Sequence, residues 1–133
     1  MTFKSPQTLK TIAELIGAKY VGDENFQIFG TNEIHRVKKG EIVFVNHPKY
    51  YDKALHSEAT IILIDKEVAC PEGKALLVSD DPFRDFNKIN DHFTGIQTFE
   101  TTDNNLSIGE NCKIHPSVII GNDVKIGDNC MIF

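Results

Sequence analysis

The stretch Phe44-Val45-Asn46-His47-Pro48-Lys49-Tyr50 gathers two aromatic rings, an imidazole and an ammonium within seven residues. It lies where a β-branched run gives way to a proline, the signature of a strand passing into a helix. The rings offer flat apolar faces to a base, and a lysine beside the amino end of a helix suits its phosphates. That chemistry is binding, with Phe44, His47, Lys49 and Tyr50 as the candidate contacts. The same spacing also fits plain packing of Phe44 and Tyr50 with Pro48 punctuating the helix, and spacing alone favours neither.

No other group of residues makes a comparable case. His35, His56 and His92 have no convergent partners in sequence, and His115 within Ile114-His115-Pro116-Ser117 reads as a corner residue. Asp80 and Asp81 stand before Pro82, where carboxylates cap a helix. The glycines form no phosphate-binding loop. Cys70, Cys112 and Cys130 have neither a metal-ligand spacing nor an even disulfide framework. Cys112 and Cys130 are expected as small buried thiols. The reading contains no catalytic residue and no metal site.

The candidate contacts need a scaffold, and the pattern supplies one. Thr8 to Ile16 reads as a helix with Leu9, Ile12, Ala13 and Ile16 on one face, Ser5 or Thr8 as its cap and Gly17 at its end. Lys19–Val21 and Phe26–Phe29 read as strands around a turn at Gly22–Asn25, and Asn32–Val37 is expected to continue extended. Glu41–Val45 is the clearest β-branched strand of the first half, followed by a helix from Pro48 through Leu55. Thr60–Ile64 is apolar enough for a strand buried on both faces, and Lys74–Val78 follows a turn at Pro71–Gly73. A helix starting at Asp80-Asp81-Pro82 should bury Phe83, Phe86, Ile89 and Phe93, a stripe read as core rather than as a ligand box. Thr94 to Asn105, rich in Thr, Asp and Asn, reads as a connector.

Composition narrows the class. A hydrophobic share of 41% with 25% charged residues is that of an ordinary globular protein. The net charge of −5 and a longest basic run of Lys38-Lys39 argue against a nucleic-acid surface. No apolar run approaches a membrane span, and the start Met-Thr-Phe-Lys-Ser-Pro lacks a signal-peptide core, so a cytoplasmic protein is expected.

The last 26 residues follow a different rule, with isoleucine at 108, 114, 120, 126 and 132, a strict period of six. Cys112, Val118, Val124 and Cys130 occupy position five, while Gly109, Gly121 and Gly127 follow the isoleucine. Glycine with neighbouring Asn or Asp tolerates the tight or left-handed corners such a unit needs. Six-residue units match neither a helix nor a flat strand, but they do match a parallel β-helix. Here the segment resembles the hexapeptide-repeat acyltransferases, whose left-handed β-helix takes three units per triangular coil. Ile108 would then stack on Ile126, Ile114 on Ile132 and Cys112 on Cys130, about 4.8 Å apart. So short a stretch cannot offset its own ordering by burial, and the chain is expected to be the front end of a longer protein.

The expected fold is thus a small α/β (α+β) amino-terminal domain with a mixed sheet and flanking helices, leading into the start of a left-handed parallel β-helix. The expected boundaries are 1–98 for the nucleotide-binding domain, 99–105 for a linker and 106–133 for the repeats. An α/β domain carrying Gly-Glu-Ile-Val-Phe and Pro-Lys-Tyr ahead of hexapeptide repeats resembles the UDP-3-O-acylglucosamine N-acyltransferase family of lipid A biosynthesis. The resemblance implies a UDP-sugar whose uracil is held between Phe44 and Tyr50. It also implies a 3-hydroxyacyl donor on acyl carrier protein, no cofactor, and a homotrimer when full length. The family's general-base histidine is expected beyond residue 133, which would leave the 133-residue piece inactive on its own. One departure stands out: the family has asparagine directly before Pro-Lys-Tyr, and this chain has His47. Two other readings are a hexapeptide-repeat acyl- or acetyltransferase for a different nucleotide sugar, and a nucleotide-sugar-binding module without catalysis.

Overall fold

The computed structural model describes residues 1–94 and 105–133, and the chain forms two compact units, Met1–Gly95 and Ile96–Phe133. Most of the expected connector, and both ends of the boundary between domain and linker, lie outside the described residues.

The first unit is built on a six-stranded mixed sheet. Its strands are β1 (Thr2–Thr8), β2 (Lys19–Val21), β3 (Gln27–Thr31), β4 (Glu41–Val45), β5 (Ile61–Ile64) and β6 (Ala75–Val78), in the order β1-β3-β4-β5-β6-β2. The four central strands β3, β4, β5 and β6 run parallel, and β1 and β2 close the edges antiparallel. All four residues of β5 are buried, as a strand covered on both faces requires. Ile61 and Leu63 join one core with Leu9, Ile12, Ile28 and Ile89, whereas Ile62 and Ile64 join another with Val43, Val45, Ala54 and Leu55.

Helices α1 (Leu9–Ile16) and α3 (Pro82–Thr94) cover the first face, and α2 (Tyr51–Leu55) covers the second. Thr8 caps α1 by accepting from the Thr11 N–H at 3.2 Å, and Gly17 ends it at φ 65, a left-handed conformation that glycine adopts without penalty. A 3-10 turn, Pro48–Tyr50, precedes α2 in the expected single helix. Thr31, buried in β3, donates its hydroxyl to Asn90 Oδ1 of α3 at 2.5 Å and ties the helix to the sheet.

Four expectations of this unit need correction. Strand β1 was not expected; only Phe3 of its seven residues is buried, and its Pro6 is tolerated because the strand lies at an edge. Asn32–Val37 does not continue extended: Ile34–Arg36 forms a turn closed by the Arg36 N–H donating to the Glu33 carbonyl at 3.0 Å. Phe83 is 56% exposed, so the buried face of α3 is Pro82, Asp85 and Ile89, with Phe86 and Phe93 half-buried. Asp80 does not cap α3 but pairs with Arg84 Nη2 at 2.7 Å; Asp81 does the capping, accepting from the Arg84 N–H.

In the second unit, short strands β7 (Ser107–Ile108), β8 (Lys113–Ile114), β9 (Lys125–Ile126) and β10 (Met131–Ile132) pair in parallel at a separation of eighteen residues. Ile108 registers with Ile126 and Ile114 with Ile132, as the repeat predicts. The left-handed corners are at Asn111, Asp123 and Asn129, the fourth position of their units, rather than at the glycines. Gly109 is needed for another reason: a Cβ there would meet Asp128 Oδ1 at 2.3 Å, the atom that accepts the Glu110 N–H at 2.7 Å. Burial is shallower than expected. Cys112 and Cys130 are only half-buried and Ile108 is 45% exposed, because a single layer of paired rungs covers each side chain from one side.

Candidate functional site

β3 ends at Thr31 beside Ile42 while β4 runs on to Val45, so the segments that follow these two parallel strands lie at the carboxyl end of the sheet, a recurrent ligand position in such sheets. The first wall is the β3–β4 connection. Asn32 holds it in place: its Oδ1 accepts the Glu33 N–H at 2.9 Å and its Nδ2 donates to Glu41 Oε2 at 3.1 Å. Glu41 Oε2 also accepts the Lys38 N–H at 2.8 Å, so both ends of the connection close on one carboxylate. On the same connection His35 Nε2 lies 3.2 Å from Glu33 Oε2, with both side chains largely exposed.

The second wall is aromatic. Alternation along β4 sends Phe44 toward α3, where its ring centroid lies 4.8 Å from Phe86 and 5.8 Å from Phe83. A buried polar cluster fixes α3 at that place. Ser79, just past β6, donates its hydroxyl to Asp85 Oδ2, and Arg84 Nε donates to Asp85 Oδ1 at 3.0 Å. Burial pushes the Asp85 carboxyl up, but the bonds from Arg84 and Ser79 outweigh it and hold the group below the usual carboxylate range.

The third wall follows β4. Val45 and Asn46 lead into the 3-10 turn, whose first N–H groups need acceptors. His47 supplies one, its Nδ1 accepting the Lys49 N–H at 3.2 Å, which requires the tautomer with Nδ1 unprotonated. Tyr51 donates its hydroxyl to Asp65 at the end of β5, and burial together with that carboxylate pushes its phenol up to about 12. Tyr50, held between these anchors, is 49% exposed.

The walls enclose a cavity of about 370 Å³ lined by Phe44, Tyr50, Phe86, Asn46, Lys53 and the Asn32–His35 segment. Of the four candidates from sequence, Phe44 and Tyr50 come together on it. His47 and Lys49 do not line it; they flank Tyr50 from outside, the imidazole 6.1 Å from the ring centroid and Lys49 Nζ 5.7 Å from it. Sequence reasoning missed Asn32–His35, Asn46, Lys53 and Phe86. Lys53 had a signal, since it follows Tyr50 by three residues and so shares its helical side. Among the described residues, no three His, Cys, Asp or Glu side chains converge on a metal position. The cavity can stack a planar ring, read its edge through amides and meet an anion with Lys53.

Comparison with known proteins follows the same division of the chain. The sequence model of UDP-3-O-(3-hydroxymyristoyl) glucosamine N-acyltransferase, LpxD, matches residues 25–92, and that of bacterial transferase hexapeptide (six repeats) matches 105–132. A UDP-3-O-acylglucosamine N-acyltransferase of Nitrosococcus oceani is 32% identical over 127 residues, covering 93% of this chain and 33% of the relative. The enzyme of the same name from Vesicomyosocius okutanii is 31% identical over 126 residues, covering 93% and 37%, and that from Syntrophotalea carbinolica is 29% identical over 125 residues, covering 94% and 35%. The chain therefore spans about a third of the length of the curated relatives it matches.

Proposed function

Since the chain belongs to the UDP-3-O-(3-hydroxymyristoyl) glucosamine N-acyltransferase (LpxD) family, we propose that its first unit holds the uridine end of a UDP-3-O-acyl-glucosamine. The protein of which it forms part then acylates the 2-amino group of that sugar nucleotide. A 3-hydroxyacyl thioester of acyl carrier protein is the donor and no cofactor takes part. The amine nitrogen forms the new bond to the thioester carbonyl, the carbon–sulfur bond breaks, and the carrier thiol leaves with the proton. The base that takes the amine proton comes from outside these 133 residues.

One observation carries the nucleotide assignment: Phe44 and Tyr50 line the same cavity although they stand at opposite ends of a seven-residue stretch. Two rings on one crevice, with amides and a lysine beside them, suit a pyrimidine and its diphosphate. His47 and Lys49 serve the same end by framing Tyr50.

The second unit is the first part of a left-handed parallel β-helix, a reading supported by the eighteen-residue separation of its paired strands. Ile119 at 85% and Met131 at 61% exposure are apolar outer positions that further coils or neighbouring subunits of a cytoplasmic homotrimer would cover. Calorimetric titration of the chain with UDP, CDP and ADP tests the nucleotide assignment. UDP should bind most tightly, and equal affinity for all three, or none for UDP, would overturn it. For the reaction, the full protein with acylated carrier protein should release free carrier thiol only when the UDP-3-O-acyl-glucosamine is present.

A further inference from the structure

Cys112 and Cys130 occupy position five of two units that stack one on the other, and from their placement we infer that together they hold one soft, two-coordinate metal ion of the Cu+ class. The ion lies between two rungs of the repeat, and each rung gives it one thiolate. This site belongs to the second unit and stands independently of the nucleotide reading of the first.

Register brings the two thiols together. β8 and β10 pair in parallel with Lys113 opposite Met131, and the Lys113 N–H donates to the Cys130 carbonyl at 2.9 Å, so the two cysteines stand directly before paired residues on successive rungs. Their side chains take the same course. Cys112 Sγ lies 3.7 Å from the Glu110 carbonyl oxygen and Cys130 Sγ lies 3.7 Å from that of Asp128, two residues back in each case. Groups placed alike on adjacent parallel strands are separated by the strand spacing, about 4.8 Å. Cys112 also donates its thiol to the Gly127 carbonyl at 3.0 Å, a contact that crosses from its own rung to that of Cys130. Both cysteines are half-buried and free.

That separation decides among the things two thiols can do. A disulfide needs Cβ atoms about 3.8 Å apart and its sulfurs in direct contact, closer than side chains stacked one rung apart. Metal–thiolate bonds are about 2.3 Å long, and two of them in line span about 4.6 Å, close to the rung spacing. Soft thiolates in a pair select Cu+ among the first-row ions. Zn2+ takes four ligands in a tetrahedron, and among the described residues no third His, Cys, Asp or Glu joins the pair. Binding exchanges the two S–H protons for the metal: two sulfur–metal bonds form, two protons pass to solvent, and no electron moves. Val118 and Val124 fill the same position in the other units, so packing alone does not call for sulfur there.

Anaerobic titration of the chain with Cu+ against a chromogenic Cu+ chelator, with native mass spectrometry for the stoichiometry, tests this. The chain should take one ion from the chelator, and all three thiols of the metal-free chain should react with a thiol reagent once it is unfolded. Cys112→Val and Cys130→Val place the repeat's own valine at position five, and each should abolish retention of the ion. Cys112→Ser and Cys130→Ser, which keep the side-chain size, should do the same. Cys70→Ser, in the first unit, should leave retention unchanged. Unchanged hydrogen exchange of the Lys113 amide in the valine variants shows that the rungs still pair, so that the loss belongs to the ligand. Retention by any variant at 112 or 130, its loss in Cys70→Ser, or no uptake by the unsubstituted chain would overturn the assignment. So would half an ion per chain, Zn2+ held as firmly as Cu+, or a metal-free chain with a single reactive thiol, the mark of a pair closed into a disulfide.

Discussion

Phe44 and Tyr50 admit a packing role and a binding role, and the structure separates the two by how much each ring would cost to remove. Phe44 is half-buried and in contact with Phe86 and Phe83. Truncating a fully buried phenylalanine costs about 3–5 kcal/mol, and a half-buried one with two aromatic neighbours about 2–4 kcal/mol. Tyr50 is 49% exposed, and its ring neighbours His47 and Lys49 are themselves exposed. Tyr50→Ala should therefore lower stability by no more than about 1 kcal/mol.

The binding prediction runs the other way. Losing one stacking ring costs about 1–3 kcal/mol per base, or roughly 5- to 150-fold in affinity, for either residue. Urea unfolding of the first unit, read at unchanged slope, gives the stability change, and calorimetry with UDP gives the affinity. The expected result is a dissociation of the two effects: Phe44→Ala loses both, whereas Tyr50→Ala loses affinity with near-native stability. If Tyr50→Ala is as destabilised as Phe44→Ala and binds UDP unchanged, Tyr50 is a packing residue and the cavity is not the uridine site.

Three further outcomes follow from the surrounding structure. Ser79→Ala removes a buried donor to the Asp85 carboxylate and should cost about 1.5–3 kcal/mol by urea unfolding. Because the native Asp85 carboxyl lies below its ordinary range, its stabilisation is complete above that range and lost as pH falls through the native value; Ser79→Ala should therefore move the acid-unfolding midpoint to higher pH. Tyr51, pushed up to about 12, should ionise after the free phenol, so its stabilisation holds below the ordinary tyrosine value and fades as pH rises; near-ultraviolet tyrosinate absorbance should lose that late step in Tyr51→Phe. Gly109→Ala should disturb the repeat where Gly127→Ala does not, since a Cβ at Gly109 meets Asp128 and one at Gly127 meets nothing within 4 Å. Faster hydrogen exchange of the Glu110 amide in Gly109→Ala alone would check it, and equal exchange in both variants would contradict it.

How far the sequence discloses this structure depends on whether the deciding force is local. β4 and β5 were legible because buried parallel strands demand unbroken β-branched runs, and α1 because Thr8 and Gly17 signal its ends chemically. β1 was hidden for the opposite reason: an edge strand needs few buried side chains, and Phe3 alone leaves no period to read. Phe83 misled through arithmetic. At about 100° per residue, Pro82, Phe86, Ile89 and Phe93 cluster on one side of α3 while Phe83 falls about 90° away from them. The candidate site divides in the same manner. Phe44 and Tyr50 were visible because they share one continuous stretch, and Lys53 was readable from helical spacing. Phe86 belongs to the cavity only because α3 lies across the end of β4, a placement fixed by the Ser79–Asp85 hydrogen bond and by Thr31 on Asn90. Those bonds join residues distant in sequence or hidden in a polar run, so no period announces them. A binding surface assembled at strand ends is therefore expected to be half legible at best: the residues on the strand's own continuation declare themselves, and those delivered by a packed helix do not.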